Sequence, residues 1–308
     1  MLNEKIVIGA GTKYPLNGIL TIPNETNRLL PAVVLVQGSG PSNMDAKVGN
    51  NVPFKDIAEG LSEKGIAVLR YDKRTFVYRK EMKNHTGISV KEETIEDAVL
   101  AAEFLRRDER IDSNKIFIIG HSLGGMLAPR IDAEGGNFAG IIILAGSPRN
   151  LEEIMMDQND AVLDSLNKFL KIIARKQIAN LSRKFENIYN LSDEEAKSTL
   201  VIGKHVSAYY FKEMGVHQSI QYLKSLDKPV FILQGEKDFH VSIEKDFNGY
   251  KNILGQKPNV KFKLYPNLNH MFMPSVYGAI LKAKKEYNVA QHVDKQVIND
   301  MGNWILSV

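Results

Sequence analysis

Short apolar runs closed by turn residues alternate with longer amphipathic stretches through the first half of the chain. Lys5 to Ala10 and Gly18 to Ile22 carry β-branched residues on either side of a Pro and Asn-Gly turn, which predicts two short strands. Ala32 to Val36, opened by Pro31, is apolar without polar alternation. Such a run predicts a strand covered on both faces, as in a parallel sheet. Phe54 to Glu63 reads as helix, and Ile66 to Tyr71 repeats the buried-strand pattern. Residues 89 to 107 form the clearest amphipathic helix, with Ile95, Val99, Ala102 and Leu105 on one stripe. Buried strands are predicted again at Lys115 to Ile119 and Ile141 to Ala145. Strands and helices alternating at these lengths imply right-handed crossovers and a mostly parallel sheet flanked by helices, an α/β fold.

The pattern then changes. From about Asn150 to Asp227 only helix-favouring segments appear, rich in Lys, Glu, Leu, Ile, Met and Tyr, with no convincing strand. Buried strands resume at Pro229 to Leu233 and Val260 to Tyr265, and Val289 to Leu306 predicts a closing helix. The middle stretch is too long for one crossover. It predicts a helical cap, residues 150–227, inserted into a core made of residues 1–149 and 228–308.

Composition narrows the function classes. At 44% apolar and 25% charged residues, the 308-residue chain can bury a sizeable core. Its net charge of +4 comes from scattered lysines rather than a basic stripe, so no nucleic-acid partner is expected. The absence of cysteine removes disulfides, thiolate metal sites and a cysteine nucleophile together, and fits a reducing compartment. The first residues lack a basic stretch followed by an apolar one, so no signal peptide is expected, and no run is apolar for long enough to span a membrane. A cytoplasmic location is the expectation; the oligomeric state is left open.

Gly120-His121-Ser122-Leu123-Gly124 follows the predicted strand Lys115 to Ile119 at once and precedes a helix-compatible run. A serine presented on so sharp a strand-to-helix turn needs small residues two positions to either side. The following helix points free N–H groups and its positive end at developing negative charge. Ser122 is therefore the candidate nucleophile. The turn resembles the elbow of α/β-hydrolases, whose triad runs Ser, then Asp or Glu, then His along the chain, which implies a base after Ser122. His85 precedes it, His121 sits in the turn with its side chain expected to face away, and His205 and His217 fall in the cap. His240 follows its strand too early and His292 lies on the predicted last helix. That leaves His270, in the turn-rich loop Pro266 to His270. Asp238, in the loop after Val230 to Leu233, is the candidate acid that fixes the imidazole tautomer, with Glu236 and Asp246 as competitors. The oxyanion would be held by the N–H of Leu123 and by a second from Gln37-Gly38-Ser39-Gly40, assigned to Ser39 with Gly38 as the alternative. Gly38 and His121 are assigned to the substrate-binding wall. No metal ligand set is assigned, and this chemistry requires no cofactor.

These residues resemble the α/β-hydrolase superfamily across nearly the whole chain, and most of all bacterial carboxylesterases with a QGSGP- or HGSGP-type oxyanion loop and a helical cap. Phe54 to Ala58 leading to Ala67 to Arg74, then Gly120 to Gly125, then Ile232 to Asp238, carry the likeness. It implies an α/β-hydrolase fold, Ser122, Asp238 and His270 as the triad, and hydrolysis of carboxylic esters, with a small-molecule ester as the expected partner. The chain departs from many relatives in having Gln37 for His and Asn43-Met44-Asp45 for a charged Asp-Arg-Asp stretch. Asp72 and Arg74 are expected to form a structural ion pair. Met155, Met156, Tyr209, Tyr210, Phe211 and Met214 are available to line an acyl pocket or simply to pack the cap. The same triad serves aminopeptidases and thioesterases, and the scaffold can also serve as a non-catalytic binding module.

Overall fold

A computed structural model describes residues 1–24, 28–85, 87–203 and 206–308. Two antiparallel strands, β1 (Leu2–Ile8) and β2 (Leu16–Ile22), open the chain and form one edge of the sheet. β3 (Leu30–Val36), β4 (Ala67–Tyr71), β5 (Ile111–His121) and β6 (Ile141–Leu144) follow. A short antiparallel pair, β7 (Leu200–Ile202) and β8 (Val206–Ser207), stands apart from the sheet. β9 (Val230–Gly235) and β10 (Val260–Tyr265) complete it. The order is β1-β2-β4-β3-β5-β6-β9-β10, parallel from β4 to β10. This is the mostly parallel, helix-flanked sheet expected from the alternating pattern.

The continuous apolar runs explain the topology. β3, β4 and β6 are buried at every position, because helices cover both faces of the sheet. On one face pack Pro53–Ser62 and Lys295–Ser307, with Phe54, Ile57, Leu61, Met301 and Trp304 against Phe117, Ile142 and Phe231. On the other lie Glu96–Arg106 and Leu123–Ile131, with Ala98, Ala102, Leu105 and Leu127 against Val34, Leu69 and Ile118.

Three expectations need correction. The stretch 150–227 is mostly helix but does contain the β7–β8 pair, whose two- and three-residue strands are too short to leave a periodic signature. The closing helix begins only at Lys295, where the Asp294 side chain accepts from Gln296 N, so His292 precedes it and instead contacts Asp56. The amphipathic stretch near residue 90 starts as a π-helical turn, Lys91–Ile95, before settling into α-helix.

Between β6 and β9 the chain runs through helices Leu151–Asp164, Lys168–Asn187, Asp193–Ser198, Ala208–Val216 and Ser219–Ser225. Part of this segment has its own small apolar cluster, with Phe185, Ile188, Val201 and Phe211. No helix among the described residues is long and apolar enough to cross a membrane.

Candidate active site

The turn after β5 shows why its glycines are glycines. Ser122 has φ 54° and ψ −119°, in the left-handed half of backbone space that a side chain enters only under constraint. Its N–H is tied to the Leu144 carbonyl at 2.8 Å, which anchors the turn to β6. A Cβ on Gly120 would stand 2.2 Å from the Gly124 carbonyl oxygen, and one on Gly124 would stand 2.3 Å from that of Val36. The bend closes only with bare backbone at both positions. Gly38 is confined less severely, since a Cβ there would meet Ser122 Cβ at 3.1 Å.

His270 and Asp238 arrive from the loops after β10 and β9. Their Nδ1 and Oδ2 atoms are 2.7 Å apart, with the two side chains 6% and 0% exposed. Because the carboxylate can only accept, Nδ1 carries the proton and Nε2 is left as the free acceptor. Burial works to raise the Asp238 carboxyl. The His270 ring and the backbone N–H groups of His240 and Val241 outweigh it, and hold the acid below its ordinary value. The competing acids fall away: Glu236 is exposed, and Asp246 is committed to Arg149 and Ser147.

A cavity of about 850 Å³ brings Ser122, Leu123 and His270 together with Gly38, Ser39 and His121, while Asp238 stands behind His270. Among the described residues neither the Ser39 nor the Leu123 N–H donates to a protein acceptor, so both amides remain available. The Gln37 side chain donates to the Tyr71 carbonyl, bracing the loop on the end of β4. Met155, Tyr210 and Phe211 reach the cavity from the 151–225 segment. Met156 and Tyr209 pack within that segment's own cluster, and Met214 joins the main core.

Two further histidines line the cavity: His121, which the sequence reading assigned to its wall, and His240, which that reading set aside. His121 does not simply face away: its Nε2 donates to the His270 carbonyl at 2.9 Å, with ring centroids 4.7 Å apart. His240 also lines the cavity, its ring 4.9 Å from that of His270 and stacked on Tyr287. Burial first, then the neighbouring His270, push His121 down to about 3 and His240 to about 4, so both stay neutral. No motif flags His240; only the fold of the Asp238 loop carries its ring there. His205 lies outside the described residues. The expected Asp72–Arg74 pair does not form: Arg74 pairs with Asp97 and Glu96, and Asp72 accepts from the Met44 N–H. Arg74 leaves the strand end pointing toward helix Glu96–Arg106, where two carboxylates meet it.

A profile of the family described as serine aminopeptidase, S33, matches residues 52–274. Esterase EstD of Thermotoga maritima is 37% identical over 294 residues, which cover 94% of this chain but 65% of that protein. The chain thus spans about two thirds of that relative. Among solved structures, Est1E from Butyrivibrio proteoclasticus superposes with a TM-score of 0.59 at 14% identity, covering 99% of both chains. The Pyrococcus furiosus esterase Pf2001 gives 0.57 at 15% identity, covering 99% of this chain and 91% of the other.

Proposed function

The chain belongs to the serine aminopeptidase, S33, family of α/β-hydrolases, and from that premise we propose that it is a serine carboxylesterase acting on small esters through Ser122, His270 and Asp238. His270 Nε2 takes the Ser122 proton as the oxygen attacks the ester carbonyl, and the Leu123 and Ser39 amides receive the oxyanion. The alcohol leaves with that proton, and water activated by the same imidazole releases the acid. Residues 150–227 serve as a cap, with Met155, Tyr210 and Phe211 offering an apolar wall to the acyl or alcohol portion. The cysteine-free sequence fits work in the cytoplasm.

The observation that carries the reading is a buried Asp238–His270 pair opening onto the same cavity as a serine held at positive φ. The likeness to EstD supports esters as the substrate class.

The family description favours a second reading, an aminopeptidase. Such an enzyme must hold the substrate's α-ammonium with a carboxylate. Among the described residues lining the cavity, Glu93 is the one carboxylate, and it already pairs with Lys73. That commitment favours esters. Turnover of p-nitrophenyl acetate beside an amino-acid p-nitroanilide tests the choice: the ester is expected to be hydrolysed and the anilide spared. Preferential cleavage of the anilide would overturn it. Failure of both, with no labelling by a fluorophosphonate, would instead point to a binding module.

A further inference from the structure

Beneath the oxyanion loop stands a charged group that the proposed chemistry does not use. Lys73, on the turn after β4, has a side chain only 1% exposed, and its Nζ pairs with Glu93 Oε1 at 2.9 Å. An ammonium has three donors and no acceptor, and burying it is unfavourable against an apolar side chain of similar size. Its position explains its presence. Nζ also donates to the Gly38 carbonyl at 2.9 Å.

That carbonyl belongs to the peptide whose N–H is Ser39's. In a planar trans peptide the C=O and the following N–H point in opposite directions, and no described peptide bond is cis. Gly38 and Ser39 line the cavity, whereas Lys73 lies behind them. Holding the carbonyl against Lys73 therefore turns the Ser39 N–H away from the ammonium, toward the cavity. Gly38 lacks a side chain that could fix this peptide by packing, so an external hold is needed.

The hold extends to the cap. Glu93 sits on the π-helical turn Lys91–Ile95, and its second oxygen accepts from Tyr210 Oη at 2.5 Å. Tyr210 belongs to helix Ala208–Val216 of the 151–225 segment. Burial, then the Glu93 charge, push the Tyr210 phenol well above its ordinary value, so it remains a donor.

We infer that Lys73 and Glu93 are positioning residues that fix the Ser39 amide as an oxyanion donor, and that Tyr210 ties the seating of the cap to that donor. The inference rests on the Ser122 reading above. A cap that swings away withdraws the Tyr210 hydroxyl from Glu93 and loosens the pair that steers the peptide.

The test compares wild type, Lys73→Met and Tyr210→Phe, the last preserving the packed ring where the first fails to fold. Four quantities are read: kcat and KM for p-nitrophenyl butyrate, affinity for an aryl trifluoromethyl ketone that forms a tetrahedral adduct with the serine, and fluorophosphonate labelling of wild type. Loss of one oxyanion donor costs about 10²–10³-fold in kcat, so a mis-aimed donor in Lys73→Met is expected to cost about 10–100-fold. KM should stay within about twofold, and ketone affinity should weaken in parallel with kcat, because both report the tetrahedral state. Tyr210→Phe is expected to show the same pattern at about 3–10-fold. Kinetics and ketone affinity unchanged in Tyr210→Phe, and in Lys73→Met where it folds, would overturn the inference while leaving Ser122 in place. A raised KM with kcat intact would also overturn it, by assigning Lys73 to substrate binding. A wild type that takes no label would instead remove the Ser122 reading on which it rests.

Discussion

β3, β4 and β6 are buried along their whole lengths, whereas helix Lys168–Asn187 of the proposed cap buries Phe185 alone among its 20 residues. The proposed triad and oxyanion amides all come from loops at the ends of β3, β5, β9 and β10, where a covered sheet fixes the backbone. The cap segment meets that core through apolar residues such as Ile154, Met214 and Leu223, and through charged ties. Arg130 holds Glu213, Arg149 and Lys245 hold Asp157, and Tyr210 reaches Glu93. The contrast separates two jobs. Covered sheet ends hold the residues of the proposed chemistry, and a segment with fewer buried residues is free to differ in what it admits.

The largest effect should come from the core side. Asp238→Asn keeps the shape of the acid but presents its amide to the imidazole, and by analogy with other Ser-His-Asp sites kcat should fall about 10⁴-fold with little change in fold. A steady-state assay that found less than a tenfold loss would take Asp238 out of the site. Next comes the cap tie: Glu213→Ala orphans one side of the Arg130 guanidinium, which is 2% exposed. Chemical denaturation should show a loss of about 2–3 kcal/mol, less than the full cost of a broken buried pair because Glu134 still holds Arg130 Nε. No loss would mean that apolar contacts alone seat the cap.

Acid should reach the site through its silent histidines. The unfolded chain takes up protons on His121 and His240 near 6.5, while the folded chain resists to about 3 and about 4. Their contribution to stability is thus present above 6.5 and is lost progressively as pH falls toward those values. The unfolding midpoint should drop between pH 6.5 and 4, and His240→Phe should make that drop shallower. An unchanged slope in the variant would contradict the burial of that ring. The smallest effect is expected on the cap surface, where Ile172 is 68% exposed. Ile172→Ser should change stability by no more than about 0.5 kcal/mol, and a larger loss would reveal a covering partner.

What the sequence announced depended on whether the signal was local. Ala32 to Val36 and Ile141 to Ala145 declare buried strands by their unbroken apolar runs, and Gly120 to Gly124 declare the bend because bare backbone is the sole solution there. The Asp238–His270 contact was legible from chain order and loop placement. The Lys73–Glu93 pair was not: Lys73 stands in the stretch Ala67 to Arg74 that carries the likeness, but nothing in that stretch points to Glu93 on the turn Lys91–Ile95. Arg74 was assigned to Asp72, its neighbour in sequence, when its partners sit on a distant helix. His240 was dismissed on loop position, although a turn after Asp238 returns its ring to the cavity. Side-chain encounters across elements follow from packing, which leaves no periodic trace.

The most direct measurement is peptide mass spectrometry of the chain after exposure to a fluorophosphonate. A single adduct on the peptide containing Ser122 is predicted, absent in Ser122→Ala and strongly slowed in His270→Ala. An adduct on another serine, or none on the folded wild type, would contradict the account.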